Sequence, residues 1–441
     1  MARRVMVVGG GGREHALVRH LAASPRNPEI FALPGNPGTR ALARNLPGDP
    51  LDRNQVLAAC REHAIDLVLI GPEDPLIAGL ADHLRHAGIA VFGPGHLGAR
   101  LEGDKEFAKD VLATAGIPTP SYHAFSTLDA ALRHLATMTM PCVVKACGAA
   151  QGKGVAVCDA KSEAAAHLRL CLEDRAFGDA GARVLIEECL FGRELSVLVV
   201  TDGQDYALLA PSRDHKRVGE GGTGGNTGGM GAFAPVPLTA ELCRRIDTEI
   251  VAPLLAELVR RDIPYRGVLY AGLMLTDTGP QVLEFNCRFG DPETQVVLPL
   301  MDCDFLELVQ TTATGRLADY LQGLPDAETG GPDGWPGRGL TDWRRGAVVV
   351  VAASRGYPGP YQTGRPLELP ADEPAAWVIH AGTGERDGRL VTAGGRVVGC
   401  VGEGADLATA RSRAYALLDR VRCDNLFHRR DIALDAERTT A

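Results

Sequence analysis

The first hundred residues alternate short apolar runs with stretches of helical periodicity. The apolar runs are Val5–Val8, Ile30–Ala32, Leu67–Ile70 and Ala90–Phe92, and the helical stretches are Arg13–Ala22, Leu51–His63 and Pro75–Ala87. Strands that alternate with helices usually form a parallel sheet that is covered on both faces. The pattern therefore predicts an α/β domain with a parallel sheet over residues 1–103.

The pattern changes after the prolines around Ile117–Pro120. From Val143 to Val200 the chain is rich in β-type runs with one helix near Ser162–Leu172, which predicts a separate subdomain over about 122–196. The elements predicted after it are a helix near Ala240–Arg260, strands at Val268–Leu275 and Gln281–Phe285, and a helix from about Asp302. We expect residues 104–321 to form one central unit that includes the subdomain.

Residues 322–345 are rich in Gly, Pro and Asp and show little periodicity, which predicts a linker. A smaller C-terminal unit follows over residues 346–441. Its predicted strands are Ala347–Ala352, Trp377–His380 and Arg396–Val401, and its predicted helix lies near Asp406–Arg422. The chain as a whole is therefore expected to be multidomain, with α/β and α+β units.

Composition narrows the class of protein. The 441 residues include 46 basic and 55 acidic side chains, a net charge of −9, and the basic residues are spread out, which argues against a nucleic-acid binder. Eleven cysteines without a C-x-x-C pair argue against a disulfide framework and against a thiolate zinc site. The longest apolar stretch, Ala347–Ala353, is far shorter than the roughly 18 residues of a membrane span. We expect a soluble, cytoplasmic protein whose partners are small molecules.

A run of glycines, Gly9–Gly12, stands between the first strand and the first helix, directly before Arg13. Backbone N–H groups at such a turn can bind a small anion at the helix N-terminus. The spacing differs from the dinucleotide-binding pattern, and no acidic residue ends the second strand to hold a ribose. A phosphate site and a tight structural turn both remain open, and Arg13 favours the phosphate.

Three lysines are candidates for binding a nucleotide. Lys105 follows Gly103-Asp104, Lys145 ends a strand, and Lys153 lies in the glycine-rich loop Gly148–Val155. This loop lacks the spacing and the trailing Ser or Thr of a P-loop. A glycine-rich loop between two strands can instead close over triphosphate oxygens while lysines neutralise their charge. The alternative is that each lysine is simply solvated.

The strand Arg183–Glu188 ends in two carboxylates, Glu187 and Glu188, and the chain continues through Leu190 to Glu194. This segment passes between two predicted subdomains. Backbone groups at such a position can bind the edge of an adenine ring, and Glu194 can hold a ribose. Adjacent acidic residues at a strand end are otherwise a solvated strand terminus.

The stretch Leu283–Glu293 is the most informative. A period of two along a strand places Glu284, Asn286 and Arg288 on one face. A carboxylate and an amide oxygen are hard ligands for a Mg²⁺ ion that is also bound by phosphates. Arg288 can neutralise a phosphoryl group during its transfer. The alternative is an edge strand with a polar face.

The charged residues of Asp214–Arg217 are followed by a glycine-rich segment, Gly219–Gly231, whose backbone has great conformational freedom. Loops of this kind seldom serve packing alone. The chain shows no Ser/His/Asp ordering and no H-x-x-x-H pair that would indicate a hydrolase or a zinc site.

Nine short motifs follow one another along the chain. They are GGREHA at Gly11–Ala16, PGNPGT at Pro34–Thr39, GPE at Gly71–Glu73, LEGDK at Leu101–Lys105, GKGV at Gly152–Val155, DHKR at Asp214–Arg217, NTGGMGA at Asn226–Ala232, LYAGLM at Leu269–Met274 and EFNCRFGDPETQ at Glu284–Gln295. Together, and essentially end to end, they resemble the phosphoribosylamine–glycine ligase family of the ATP-grasp superfamily. The resemblance implies a Rossmann-like N-terminal domain, an ATP-grasp central domain with a mobile subdomain, and a small β-rich C-terminal domain.

The family's reaction is also implied: glycine, 5-phosphoribosylamine and ATP give glycinamide ribonucleotide, ADP and phosphate through an acyl phosphate, in purine synthesis. The implied ATP-binding residues are Lys105, Lys145, Lys153, Glu187, Glu188, Leu190 and Glu194. The implied ligands of Mg²⁺ or Mn²⁺ are Glu284 and Asn286. The implied substrate residues are Gly10, Gly11, Gly12, Arg13, Asn36, Asp214, Lys216, Arg217, Asn226 and Asp291, and the implied catalytic residues are Arg288, Lys153 and Asp214. The expected assembly is a monomer or a weak homodimer.

Five positions depart from the family pattern: Cys147, Ala149, Arg213, Gly222 and Gly225. The changes at Cys147, Arg213 and Gly222 make these segments more positive by about three charges if all groups are ionised. Drift without a change of substrate is one explanation. Another is a paralogue that joins a different small acid, such as a phosphonate or dicarboxylate, or a different amine. A non-catalytic nucleotide-binding protein is a third, and it predicts losses among the metal and phosphate residues that the sequence does not show.

Overall fold

The computed structural model describes residues 3–148, 154–324, 331–434 and 436. The N-terminal elements are β1 (Arg4–Gly9), α1 (Gly12–Ala22), β2 (Glu29–Pro34), β3 (Arg44–Asn45), α2 (Arg53–Glu62), β4 (Leu67–Ile70), α3 (Glu73–Ile77), α4 (Leu80–His86) and β5 (Ala90–Phe92). Their sheet has the order β3-β2-β1-β4-β5 and is parallel throughout, as predicted. The single helix predicted over Pro75–Ala87 is wrong, because Gly79 adopts a left-handed φ of 81° and separates α3 from α4.

Two helices, α5 (His96–Gly103) and α6 (Lys105–Thr114), lead into a small antiparallel subdomain. Its elements are β6 (Tyr122–Phe125), α7 (Leu128–Thr137), β7 (Cys142–Ala146), β8 (Val155–Cys158), α8 (Lys161–Leu172) and β9 (Val184–Glu188), with the sheet order β6-β9-β7-β8. The helix expected near Ser162–Leu172 is α8, and a second helix that was not predicted, α7, precedes β7 and buries Ala131 and Leu135. The amphipathic spacing of its apolar residues was a usable signal.

A second antiparallel sheet forms the rest of the central domain. The elements from here to the end of the domain are β10 (Arg193–Thr201), β11 (Tyr206–Leu208), β12 (Arg213–Asp214), β13 (Arg217–Gly219), β14 (Thr223–Asn226), β15 (Gly231–Ala234), α9 (Ala240–Ile246), α10 (Ala252–Arg260), β16 (Gly267–Thr276), β17 (Gly279–Asn286), α11 (Thr294–Val297), α12 (Phe305–Ala313) and α13 (Leu317–Gln322). The sheet has the order β11-β10-β16-β17. A π-turn over 247–251 separates α9 from α10, because Pro253 lacks the N–H that a continuous helix would need.

The C-terminal elements are β18 (Gly346–Ser354), β19 (Ala376–His380), β20 (Thr383–Arg386), β21 (Arg389–Thr392), β22 (Arg396–Gly404), α14 (Leu407–Leu418) and β23 (Leu426–Phe427). Their main sheet has the order β12-β15-β18-β22-β19, with β23 beside β18. Two strands that precede α9 in the chain, β12 and β15, therefore belong to the C-terminal sheet. The sequence pattern did not indicate this pairing.

One apolar cluster joins the three domains. A buried cluster combines Val7 of β1, Val297 of α11 and Val349 of β18. The described part of 322–345 also packs onto the central domain, where buried Trp335 donates from Nε1 to the carbonyl of Leu208 at 3.2 Å. Among the described helices, none is long and apolar enough to cross a membrane.

Candidate active site

A cavity of about 510 Å³ opens where the three domains meet. The residues that line it are Arg13, Glu73, Leu101, Glu102, Lys105, Ala108, Lys109, Leu112, Lys145, Gly154, Val155, Glu187, Asp214, Lys216, Thr227, Gly228, Tyr270, Leu283, Glu284, Phe285, Asn286, Arg288, Asp291, Glu293, Tyr357, Pro358, Tyr361 and Arg396. Ten of the residues predicted to form a site lie in this wall: Arg13, Lys105, Lys145, Glu187, Asp214, Lys216, Glu284, Asn286, Arg288 and Asp291.

A buried carboxylate between two lysines forms one part of the wall. Glu187 Oε2 lies 2.8 Å from Lys145 Nζ, and Glu187 Oε1 lies 3.2 Å from Lys109 Nζ. Lys145 also donates to the carbonyl of Leu283 at 3.0 Å. Burial lowers the pKa of Lys109 to about 8, although Glu187 opposes the shift. Two ammonium groups and one carboxylate leave a net positive charge facing the cavity, which suits a phosphate-bearing ligand.

Lys109 was not predicted as a site residue. It lies four residues after Lys105 on α6, and that spacing places both lysines on one helix face. The sequence therefore carried a signal for it. Lys105 Nζ donates to the carbonyl of Gly148 at 3.1 Å, where the glycine-rich loop begins, and burial lowers the pKa of Lys105. Lys153, predicted for the same loop, lies outside the described residues.

Three predicted nucleotide-binding residues do not line the cavity. Glu188 is exposed and accepts a hydrogen bond from the backbone N–H of Ser121 at 3.1 Å. Leu190 is half-buried in the turn between β9 and β10. Glu194 pairs with Lys216 through an Oε2–Nζ distance of 2.8 Å. Glu194 thus lies beside residues that the sequence assigned to the acceptor substrate.

The predicted metal ligands share one strand. Glu284 and Asn286 are two residues apart on β17 and both line the cavity. A Cβ at Gly272, opposite Glu284 on β16, would lie 3.3 Å from Glu284 Cγ, so glycine leaves room for this side chain. One carboxylate and one amide oxygen fit a Mg²⁺ ion that takes its other ligands from phosphates and water. The described residues contain no group of three His, Cys, Asp or Glu that could hold a metal ion by themselves.

Arg288 is fixed by two carboxylates from the N-terminal part of the chain. Its Nε lies 3.1 Å from Glu73 Oε2, and its Nη2 lies 2.9 Å from Glu102 Oε1. Nη2 also donates to Asn286 Oδ1 at 3.3 Å. Burial disfavours the charged guanidinium, but the two carboxylates outweigh burial and keep the pKa of Arg288 above its ordinary value. The side chain is therefore oriented and stays protonated at any ordinary pH.

Lys216 is the centre of a second charged cluster in the cavity wall. Lys216 Nζ lies 3.0 Å from Asp214 Oδ1 and 2.8 Å from Glu194 Oε2. Burial raises the pKa of Asp214 above its ordinary value, although Lys216 opposes the shift and Glu293 adds to it. A carboxylate in the cavity wall, held by a lysine, suits a group that contacts an amine.

Tyr270 and Glu293 also belong to the wall and were not predicted as site residues. Tyr270 donates its hydroxyl hydrogen to Glu293 Oε1 at 2.7 Å, and its oxygen lies 2.9 Å from Ser196 Oγ. Burial raises the pKa of Tyr270 well above its usual value. Both residues fall within motifs that carried the family resemblance, so position in a motif was the available signal.

The glycine turn before α1 packs against the rest of the protein. Gly11 donates its N–H to Glu14 Oε2 at 2.6 Å, and a Cβ at Gly12 would lie 2.9 Å from Gln295 Nε2. Asn36 uses its amide to bind backbone groups: Nδ2 donates to the carbonyl of Gly10 at 3.0 Å, and Oδ1 accepts from two N–H groups of its own loop. Of this predicted set only Arg13 lines the cavity, while Asn36 lines a second cavity of about 370 Å³ beside it.

The C-terminal domain completes the wall. Arg396 Nη2 lies 3.2 Å from Asp291 Oδ2, and Arg396 Nη1 donates to the carbonyl oxygens of Asp291 and Gly228 at 2.7 and 2.6 Å. Tyr357 accepts a hydrogen bond from the N–H of Gly228 at 3.0 Å. Arg396 lies 105 residues after Asp291, and no local sequence signal connects the two.

Arg217 and Asn226 lie outside the cavity wall. They face each other in the small hairpin of β13 and β14, where Asn226 is exposed. Arg217 Nη1 donates to the carbonyl of Gly224 at 2.7 Å. These two residues would affect the cavity only indirectly, by fixing the shape of this hairpin loop.

Family models cover most of the chain and describe the same three domains. The phosphoribosylglycinamide synthetase N domain matches residues 3–102, the ATP-grasp (A) domain 103–294 and the C domain 347–435. The chain belongs to the phosphoribosylglycinamide synthetase family. The resemblance and the three-domain architecture expected from the sequence are thereby confirmed.

Relatives within the phosphoribosylglycinamide synthetase family match along nearly the whole chain. The phosphoribosylamine–glycine ligase of Agrobacterium fabrum is 44% identical over 98% of both chains, and that of Leptospira interrogans is 40% identical over 98% of this chain and 99% of its own. The crystal structure of the phosphoribosylamine–glycine ligase from Thermotoga maritima superposes with a TM-score of 0.83 at 34% identity, covering 98% of this chain and 100% of that chain. These relatives give no support to a paralogue with a different acid or amine.

More distant structures share the fold of the phosphoribosylglycinamide synthetase family. The biotin carboxylase domain of the 2-oxoglutarate carboxylase from Hydrogenobacter thermophilus, determined with MgADP and bicarbonate, has a TM-score of 0.72 at 16% identity. It covers 100% of this chain and 94% of its own. At this identity the likeness concerns the fold alone.

The described departures from the family pattern do not line the cavity. Cys147 is buried, and burial raises the pKa of its thiol to about 12, so the thiol stays neutral. Arg213 stacks its guanidinium 5.0 Å from the centre of the Phe233 ring. Gly222 and Gly225 are exposed, and Ala149 lies outside the described residues. The four described positions are all absent from the lining of the cavity, as drift without a change of substrate would predict.

Proposed function

We propose that this chain joins glycine to 5-phosphoribosylamine and converts ATP to ADP and phosphate, a step of purine synthesis. The observation that carries the proposal is one cavity, lined by three domains, whose wall holds the cations Lys105, Lys145 and Arg288 together with the Asp214–Lys216 pair. Relatives named phosphoribosylamine–glycine ligase, 40–44% identical over nearly the whole chain, support the same reaction.

The first step would activate the acid. A carboxylate oxygen of glycine attacks the γ-phosphorus of ATP, the bond to the bridging oxygen breaks, and ADP leaves. Phosphoryl transfer needs mainly positioning and charge neutralisation. Lys105 and Lys145, with Lys153 from the glycine-rich loop, would hold the phosphates, and oriented Arg288 would face the transferring group.

The nucleotide base would lie toward the turn after β9. Backbone groups of Glu187, Glu188 and Leu190 would hold the adenine ring, and Glu194 would hold the ribose. The two lysines on Glu187 support this arrangement, because they fix its carboxylate and so the end of β9. Glu194 would have to serve the ribose while it also pairs with Lys216.

Glu284 and Asn286 would hold a divalent cation, Mg²⁺ or Mn²⁺. A bound cation would neutralise charge on the phosphate oxygens during transfer. Its position would be set by β17, since both ligands project from that strand. Arg288 donates to Asn286 Oδ1 at 3.3 Å, so this oxygen would bind the cation through its second lone pair.

The second step would join the amine. The nitrogen of 5-phosphoribosylamine attacks the acyl carbon, phosphate leaves, and the nitrogen loses a proton. Asp214 would contact the amine, and Lys216, Arg217 and Asn226 would shape its site. Asp291, Arg13 and the Gly10–Gly12 turn would lie toward the ribose phosphate, with Asn36 holding the turn.

The activity itself is the direct test. Purified protein with MgATP, glycine and freshly generated 5-phosphoribosylamine should release ADP and form glycinamide ribonucleotide, and omission of either substrate should stop the formation of product. A panel of other amino acids, dicarboxylates and phosphonates in place of glycine serves as the control. Turnover with a panel compound but not with glycine would contradict the proposal.

A cytoplasmic location and an assembly as a monomer or weak homodimer remain predictions. Sedimentation measurements would determine the oligomeric state.

A further inference from the structure

The loop over residues 215–230 starts and ends in the C-terminal sheet. It leaves β12 after Asp214 and returns in β15, and β15 pairs with β18 of the C-terminal domain. His215 donates its N–H to the carbonyl of Gly231 at 2.8 Å, and Met230 donates to the carbonyl of His215 at 2.9 Å. The base of the loop is thus closed by its own backbone, and its position follows that of the C-terminal sheet.

The last described segment of the chain holds the outer side of this loop. Arg429 is only 4% exposed and donates from Nη1 to the carbonyl of Arg217 at 2.8 Å. Its Nη2 lies 3.5 Å from His215 Nδ1, and the N–H of Ala433 donates to His215 Nε2 at 3.2 Å. A buried guanidinium that binds a carbonyl of a neighbouring loop restricts that loop more than a solvated pair would.

Asp431 completes the contact. Its carboxylate accepts hydrogen bonds from Arg429 Nε at 2.8 Å and Arg429 Nη2 at 2.6 Å. Its Oδ2 also accepts a hydrogen bond from the N–H of Gly221 at 2.8 Å. Burial would raise the pKa of Asp431, but these hydrogen bonds outweigh it and lower the pKa to about 2. Glu220 adds a further bond, since its Oε1 accepts the N–H of Arg430 at 3.2 Å.

The inner side of the loop is held by the same domain. Arg396 binds the carbonyl of Gly228, and Tyr357 binds its N–H. A Cβ at Gly228 would lie 3.0 Å from Arg396 Cζ, so the loop backbone packs directly on the guanidinium. Both sides of the loop therefore contact the C-terminal domain, although the residues that it presents to the cavity, Lys216, Thr227 and Gly228, belong to the central part of the sequence.

We propose that the Arg429–Asp431 pair clamps the 215–230 loop in the shape that accepts the amine substrate, so that Arg429 is a positioning residue for the second step. This inference rests on the proposed function. Arg429 is absent from the cavity lining and reaches the substrates only through the loop. The proposal gives the C-terminal domain a role in the joining of the amine that is separate from nucleotide binding.

Hydrogen exchange tests the clamp without activity. In Arg429→Ala and Asp431→Asn, amides of the 215–230 loop should exchange at least tenfold faster, while amides of β16 and β17 should be unchanged. Arg365→Ala is the matched control, because Arg365 pairs with Asp424 on the same domain and its hydrogen bonds go to Asp424 and Thr392 rather than to the loop. Unchanged exchange in the loop, or equally faster exchange throughout the C-terminal domain, would overturn the clamp.

Kinetics tests its effect on the reaction. Arg429→Ala should raise the KM for 5-phosphoribosylamine at least tenfold and the KM for ATP less than twofold, and Arg429→Lys should restore part of the loss. Equal rises in both constants, or none, would overturn the positioning role. The wild-type protein separates the two proposals: its failure to turn over glycine and 5-phosphoribosylamine would remove the proposed function, whereas an active wild type with unaffected variants would remove only the clamp.

Discussion

At the scale of single residues, the cavity is built from charges that pair with one another. Glu187 was expected to face adenine and Lys145 to face ATP, yet the structure joins their side chains and adds Lys109. The three residues are far apart in the chain, so only folding brings them together. Their pairing makes each charge tolerable in a buried position, because an isolated buried charge is strongly unfavourable.

The buried trio leads to a prediction about stability. Glu187→Gln keeps the size of the side chain but leaves Lys109 and Lys145 facing each other without a counter-charge. The free energy of unfolding should fall by about 3 kcal/mol, measured by urea denaturation at neutral pH. Glu188→Gln is the matched control, since Glu188 is exposed and should change stability by less than about 0.5 kcal/mol. Equal effects of the two substitutions would show that the trio is not a stabilising unit.

At the scale of elements, local patterns along a strand could be predicted from the sequence, whereas the pairing of distant strands could not. The strand predicted at Gln281–Phe285 is β17, and Glu284, Asn286 and Arg288 all line the cavity, although Arg288 follows the end of the strand. The partner of β15 was not predictable, because its four residues Gly231–Ala234 carry no signal for β18, more than a hundred residues later. The parallel sheet of the first domain was predictable because helices alternate with most of its strands: α1 follows β1, α2 precedes β4, and α3 and α4 precede β5.

The β15–β18 pairing gives a second prediction. Gly231 has a φ of 156°, and a Cβ there would lie 2.5 Å from the carbonyl oxygen of Val349 and 2.8 Å from Ile432 Cγ2. Gly231→Ala should therefore destabilise the protein by about 2–4 kcal/mol, seen as a lower midpoint of thermal unfolding. Gly225→Ala is the control, because its Cβ would meet only Pro358 Cγ at 3.9 Å. A Gly231→Ala midpoint equal to that of the control would contradict the close approach of the two strands.

At the scale of the whole molecule, the cavity exists only in the assembled protein. Arg13 comes from the N-terminal domain, Glu284 from the central domain and Arg396 from the C-terminal domain. A ligand that fills such a cavity binds the folded state and not the unfolded chain. It must therefore stabilise all three domains together.

This linkage predicts how the nucleotide and the metal affect thermal unfolding. MgATP at one hundred times its dissociation constant should stabilise the protein by about 2.7 kcal/mol. The same concentration of ATP with EDTA should raise the midpoint of thermal unfolding less than MgATP does. Calorimetry or dye-based thermal scans would measure both. In Glu284→Gln, most of the difference in unfolding midpoint between MgATP and ATP with EDTA should disappear. The rise in midpoint that ATP with EDTA produces should be kept. A wild-type midpoint that does not respond to Mg²⁺ in the presence of ATP would contradict a metal site on β17.

The sequence by itself determined what depends on neighbours in the chain. It determined four strands of the first domain (β1, β2, β4 and β5) and its helices α1 and α2, the strand that carries Glu284 and Asn286, and, through motifs such as DHKR and EFNCRFGDPETQ, the family. Only the tertiary structure decided which charges pair and which domain closes the cavity, as with Glu187 between two lysines and Arg396 on Gly228. The physical reason is that periodicity and turn chemistry act within a few residues, whereas ion pairs and sheet edges join segments that only the packed core brings into contact.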